Sequence, residues 1–88
     1  MYLHLGKGTV IPDSSIIGIF DLDITSQSRL TRNFLSMAEK AGEVVNAAED
    51  IPKSFVVSCD SNGKKSVTLS QMATATLLRR SENKSVIA

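Results

Sequence analysis

The apolar positions change period several times along the chain, and each change predicts an element. Residues 2–5 and 9–11 are short apolar-polar runs separated by Gly6-Lys7-Gly8. Glycine reaches positive φ at little cost, so two strands joined by a tight hairpin are predicted. Pro12 has no N–H to give a ladder and predicts the end of the second strand. Asp13-Ser14-Ser15 predicts a turn or a single helical turn. Residues 16–22 predict the clearest strand, with Ile16, Gly18, Phe20, Leu22 and Ile24 on one face at period two. The other face starts with Ile17 and Ile19 and ends with Asp21 and Asp23. Gly18 in mid-strand predicts a bulge or the close approach of another backbone.

The period then becomes helical. Thr25, Ser26 and Ser28 are N-cap candidates for a helix over roughly 28–41. Leu30, Phe34, Met37, Ala38 and Ala41 share one face of it, and Arg29, Arg32, Asn33, Ser36, Glu39 and Lys40 the other. Lys40 suits the negative end of the helix dipole, and Gly42 suits the residue just past the end. Residues 43–47 predict a strand through Val44 and Val45, broken by Glu49-Asp50-Ile51-Pro52. Residues 54–59 predict a strong strand, and Asn62-Gly63 in the following turn is the best short hairpin signal in the chain. Residues 66–69 return as a strand. Ser70 is placed to cap a last helix near 71–80, with Met72, Ala73, Leu77 and Leu78 inward and Arg79-Arg80 at its end. Residues 81–88 are expected to be a frayed tail to a single domain spanning 1–80. The order β-β-β-α-β-β-β-α predicts a small α+β domain with a mixed, mostly antiparallel sheet and two helices on one face.

Composition narrows what such a domain can do. A chain of 88 residues has a thin core. Its single cysteine, Cys59, excludes an internal disulfide, and one His with one Cys cannot complete a four-ligand zinc site. Self-association is the remaining common way for a small domain to gain stability, so a homo-oligomer is expected. Trp is absent and aromatic residues are 5% of the chain, which leaves few platforms for base stacking. The start, Met1-Tyr2-Leu3-His4-Leu5, lacks the basic and apolar regions of a signal peptide. With no long apolar run and a lone thiol, a cytoplasmic protein without membrane contact is expected. Net charge is +1 but uneven. Residues 61–88 carry Lys64, Lys65, Arg79, Arg80 and Lys84 against Glu82, a balance of +4. Residues 49–60 carry Lys53 against Glu49, Asp50 and Asp60, a balance of −2.

Candidates for catalysis are sparse. Asp21-x-Asp23 puts two carboxylates on one strand face, with no third ligand nearby in sequence; two solvated acids at a strand end is the plainer account. His4 and Cys59 have no sequence neighbour to make a dyad or to lower the thiol pKa, and a surface histidine and a structural thiol are the plainer accounts. Gly6-x-Gly8 lacks the third glycine and the helix of a phosphate loop and is read as a turn. No enzyme, cofactor or small-molecule substrate is expected. The basic residues weigh more. Lys64-Lys65 at a hairpin tip and Arg79-Arg80 at a helix end can meet phosphates, which supply salt-dependent affinity for nucleic acid. The same residues also suit a helix C-terminus and a soluble hairpin tip without any ligand.

Three blocks, Met1-Tyr2-Leu3-His4-Leu5-Gly6, Ile16-Ile17-Gly18-Ile19-Phe20-Asp21 and Pro52-Lys53-Ser54-Phe55-Val56-Val57, resemble, in the same order and at similar spacing, segments of the RemA/RemB family of bacterial extracellular-matrix (biofilm) regulators. Over roughly residues 1–80 the chain resembles the RemB branch. The resemblance implies a small α+β domain that assembles into rings and binds promoter DNA, each protomer adding phosphate contacts whose avidity multiplies. In the RemA branch, arginines after the second strand and an arginine pair before the fifth strand are associated with DNA contact. The corresponding stretches here read Asp13-Ser14-Ser15 and Asp50-Ile51-Pro52-Lys53, where only Lys53 is basic. DNA contact would then fall to Lys53, Lys64, Lys65, Arg79 and Arg80. The alternative is an oligomeric protein–protein interaction module without DNA binding.

Overall fold

Two apolar clusters, one on each side of a central sheet, organise the chain. The computed structural model describes residues 2–22 and 28–87, with side chains through Arg80. The expected helix caps Thr25 and Ser26, and the face positions Asp23 and Ile24, lie outside the described residues. Strands β1 (Tyr2–Gly6) and β2 (Thr9–Pro12) form an antiparallel hairpin, followed by one 3-10 turn at Asp13–Ser15. Then come β3 (Ile16–Asp21), α1 (Arg29–Lys40), β4 (Val44–Asn46), β5 (Ser54–Cys59), β6 (Lys65–Ser70) and α2 (Thr74–Ile87). The element order is the one the periodicity predicts. The last helix runs past the expected end near residue 80.

The four-stranded sheet has the order β3-β5-β6-β4. β5 pairs antiparallel with both β3 and β6, and β4 runs parallel to β6. β5 is central and buried on both faces, because both are covered. Phe55 and Val57 pack with Val67 and with Ala38 of α1. Val56, between them, points the other way and packs with Leu3, Leu5 and Ile11 of the hairpin, Ala47, and Leu77 of α2. The helices therefore lie on opposite faces of the sheet, not on one face as expected. Each face carries apolar side chains that need a cover.

Two local features explain how the sequence reaches this arrangement. Gly42 has φ +73° and closes α1 in a Schellman turn: its N–H donates to Glu39 O and the Glu43 N–H donates to Ala38 O at 2.9 Å. Glu43 O then accepts the Val67 N–H at 2.8 Å, which leads the chain into the parallel pairing of β4. The β5–β6 turn is longer than a two-residue hairpin. Asp60 O accepts the Gly63 N–H, Gly63 has φ +83°, and Asp60 Oδ1 accepts the N–H groups of Asn62 and Lys64 at 2.9 Å each. The glycine serves as the left-handed residue of a three-residue loop.

Candidate assembly surface and nucleic-acid contacts

The face of β3 differs from strict alternation in a way that builds a surface. Ile16 pairs with Ser58 and Gly18 with Val57, so Ile17 is an extra residue in a bulge. The bulge moves Ile16 to the hairpin side with Ile19 and turns Ile17 to the α1 side with Phe20. The expected single face of Ile16, Gly18, Phe20 and Leu22 is thus broken at Gly18. A Cβ on Gly18 would lie 2.7 Å from the Phe20 ring, which stacks on Phe55 at 5.1 Å between centroids.

Helix α1 adds the second wall. Its N-cap is Ser28, in extended backbone and without a side-chain cap hydrogen bond. The side buried on the sheet is Leu35 and Ala38, with Thr31 half-buried one turn earlier. The expected inward face of Leu30, Phe34, Met37, Ala38 and Ala41 is therefore corrected: only Ala38 of that set is buried. Ala38 is small enough for the helix to approach the sheet closely, and Leu35 fills the space beside it. The neighbouring stripe is left outward, with Leu30 81%, Phe34 40% and Met37 70% exposed. Between this stripe and β3, a groove of about 340 Å³ is lined by Ile17, Phe20, Leu30, Phe34, Phe55 and Val57. Ile17 is 64% exposed at its rim. β3 is also an edge strand of the sheet. A contiguous apolar groove beside an open edge is the usual geometry of an interaction surface. The sequence reading missed this groove; the mid-strand glycine that marks the bulge was its one available signal.

The five basic candidates are all exposed but lie in separate places. Lys64 and Lys65 sit at the β5–β6 turn. Lys53 precedes β5 at the other end of that strand, where its N–H donates to Ser70 O and its O accepts the Leu22 N–H. Six residues of strand separate the two groups, roughly 20 Å at ~3.3 Å per residue. Arg79 and Arg80 lie in α2, and Arg80 Nη1 approaches Met72 Sδ at 3.7 Å, toward the Lys53 end of the sheet. One protomer therefore has basic groups at two ends of the sheet.

The residues weighed for catalysis are also dispersed. His4 is exposed on β1 between buried Leu3 and Leu5. Cys59 is half-buried at the end of β5, with its thiol 3.6 Å from Asp60 O, whereas Asp21 pairs with Ser54 at the strand's other end. Among the described residues no group of three or more His, Cys, Asp or Glu is placed to hold a metal ion. Among them also, no helix is long and apolar enough to cross a membrane. The chain is thus a small mixed-sheet α+β domain with, among the described residues, an apolar groove and dispersed surface cations. No family model matches the chain, and no curated protein matches it.

Proposed function

We propose that this chain is a cytoplasmic, homo-oligomeric DNA-binding regulator of the RemA/RemB type, working by binding and not by catalysis. The observation that carries the reading is the groove between α1 and β3, whose exposed Ile17, Leu30 and Phe34, with Met37 on the same outer stripe of α1, suit burial against another copy. The two groups of cations give a lone protomer little grip on a phosphate backbone. Repetition around an assembly presents Lys64, Lys65, Arg79 and Arg80 many times, and each phosphate neutralised adds to affinity and to its salt dependence.

Light scattering with and without duplex DNA, over a series of salt concentrations, tests both halves. The expected result is a particle several times the protomer mass that binds DNA at low salt and releases it as salt rises. Replacing Lys64, Lys65, Arg79 and Arg80 by Ala should flatten the salt dependence. A monomer at high concentration, or no DNA binding at low salt, overturns the proposal. A second reading, an assembling protein–protein module without DNA binding, has its own support: the Asp60 carboxylate shares the loop with Lys64 and Lys65. An assembly indifferent to DNA favours that reading.

A further inference from the structure

The sheet face beneath the hairpin carries an unusual run of hydroxyl groups. Ser54 and Ser58 on β5, with Ser66, Thr68 and Ser70 on β6, alternate toward this side, and Ser54 pairs with Ser70 while Ser58 pairs with Ser66. At one end the hydroxyls are engaged. Ser54 donates to Met72 O at 2.7 Å, and Ser70 donates to Leu5 O at 2.8 Å. At the other end, Ser58 is 6% and Thr68 2% exposed, yet neither side-chain hydroxyl has a hydrogen-bond partner among the described residues. Buried hydroxyls are ordinarily hydrogen-bonded, because leaving one without a partner is unfavourable.

Both line a cavity of about 240 Å³ between the sheet and β2, which Thr9 and Ser66 also line. Ile11, Pro12 and Val45 supply apolar wall, Ser15 adds a hydroxyl already donating to Pro12 O, and Asp60 and Lys64 line the cavity from the β5–β6 loop. Asp60 Oδ1 is engaged by two backbone N–H groups of that loop. The two charges are opposite, so an ion of either sign meets one favourable and one unfavourable partner. Hydroxyls donate and accept equally, which suits a ligand whose own hydroxyls do the same. At ~30 Å³ per water, the space holds roughly eight waters or one molecule of about ten to twelve heavy atoms.

We propose that this cavity binds a small uncharged polyol, a sugar of pentose or hexose size, through the Ser58 and Thr68 hydroxyls. The ligand is held unreacted, so the expectation of no small-molecule substrate is a separate matter. Neither hydroxyl belongs to the cations of the DNA proposal, and variants here keep Lys64 and Lys65, so failure of one reading is distinguishable from failure of the other.

The test is an amide-resolved NMR titration of the full chain with D-ribose and with D-glucose. Saturable shifts are expected at Thr9, Val45, Ser58, Ser66 and Thr68 with at least one of the two sugars. The double variant Ser58→Ala, Thr68→Val removes no hydrogen bond within the described protein and should keep its native spectrum. It should weaken sugar binding at least about tenfold, the loss expected for a ligand hydrogen bond or two. If the double variant fails to fold, Thr68→Val alone, which keeps the side-chain shape, carries the comparison. Absence of saturable shifts with both sugars overturns the proposal and assigns the hydroxyls to water. An unchanged response in the variant overturns it too. So does a stronger response of the same amides to inorganic phosphate or to glycine, which marks a site for charged ligands.

Discussion

Charging the outer stripe of α1 should abolish association and leave the fold intact. The variant is Leu30→Asp with Met37→Lys. Both side chains lie outside the two apolar clusters, at 81% and 70% exposure. The new charges also suit their positions, with a carboxylate in the first turn of the helix and an ammonium near its end. The expected change in unfolding free energy is therefore within about 0.5 kcal/mol. Association is affected much more. Full burial of a Leu or Met side chain is worth about 1.5–3 kcal/mol, and each of these two retains most of that, about 2 kcal/mol, for release at an interface. Together they represent about 4 kcal/mol per copy, and even half of that weakens association more than tenfold. Sedimentation velocity over a concentration series reads the effect, with a urea melt as the control for folding. Leu35→Asp is the contrasting substitution: that side chain packs against the cluster of Phe55, Val57 and Val67, and its replacement should unfold the domain. An unaltered assembly in the Leu30→Asp, Met37→Lys variant, with the parent protein oligomeric, would refute the assignment of this stripe to an interface.

Three further substitutions probe the packing. Ser70→Ala removes a hydroxyl that donates to Leu5 O and accepts the Met72 N–H at 3.1 Å, tying the hairpin to the end of β6; it should cost about 1–3 kcal/mol, read from the urea midpoint. Leu77→Ala empties a fully buried contribution of α2 to the hairpin-side cluster and should cost about 2–5 kcal/mol, with hydrogen exchange accelerated in β1 and β2 as well as in α2. A parent-like exchange pattern would mean that Leu77 does not hold these elements together. Gly6→Ala sets a Cβ 2.6 Å from Ala47 O at a φ of +123°, so the hairpin must lift from the β4 segment; thermal unfolding should fall well below that of Gly8→Ala, whose Cβ meets nothing within 4 Å.

The alternation of apolar and polar residues, together with its glycines and prolines, determined which elements form and in what order. Pro12, Gly42 and the Asn62-Gly63 turn act within a few residues of themselves, so their effect is legible locally. The exposure of Lys53, Lys64, Lys65, Arg79 and Arg80 was legible too, since long charged side chains avoid burial. Tertiary structure alone decided which apolar stripe of α1 faces the sheet, because Leu30, Phe34 and Met37 form as good a stripe as the buried one. The choice depends on how closely Ala38 lets the helix approach a surface formed by β5 and β6, far away in sequence. It also decided the side on which Ile17 emerges, since a bulge reverses every later face and only the register against β5 locates it. The groove and the hydroxyl-lined cavity both arise from such pairings between distant segments, which no local period encodes.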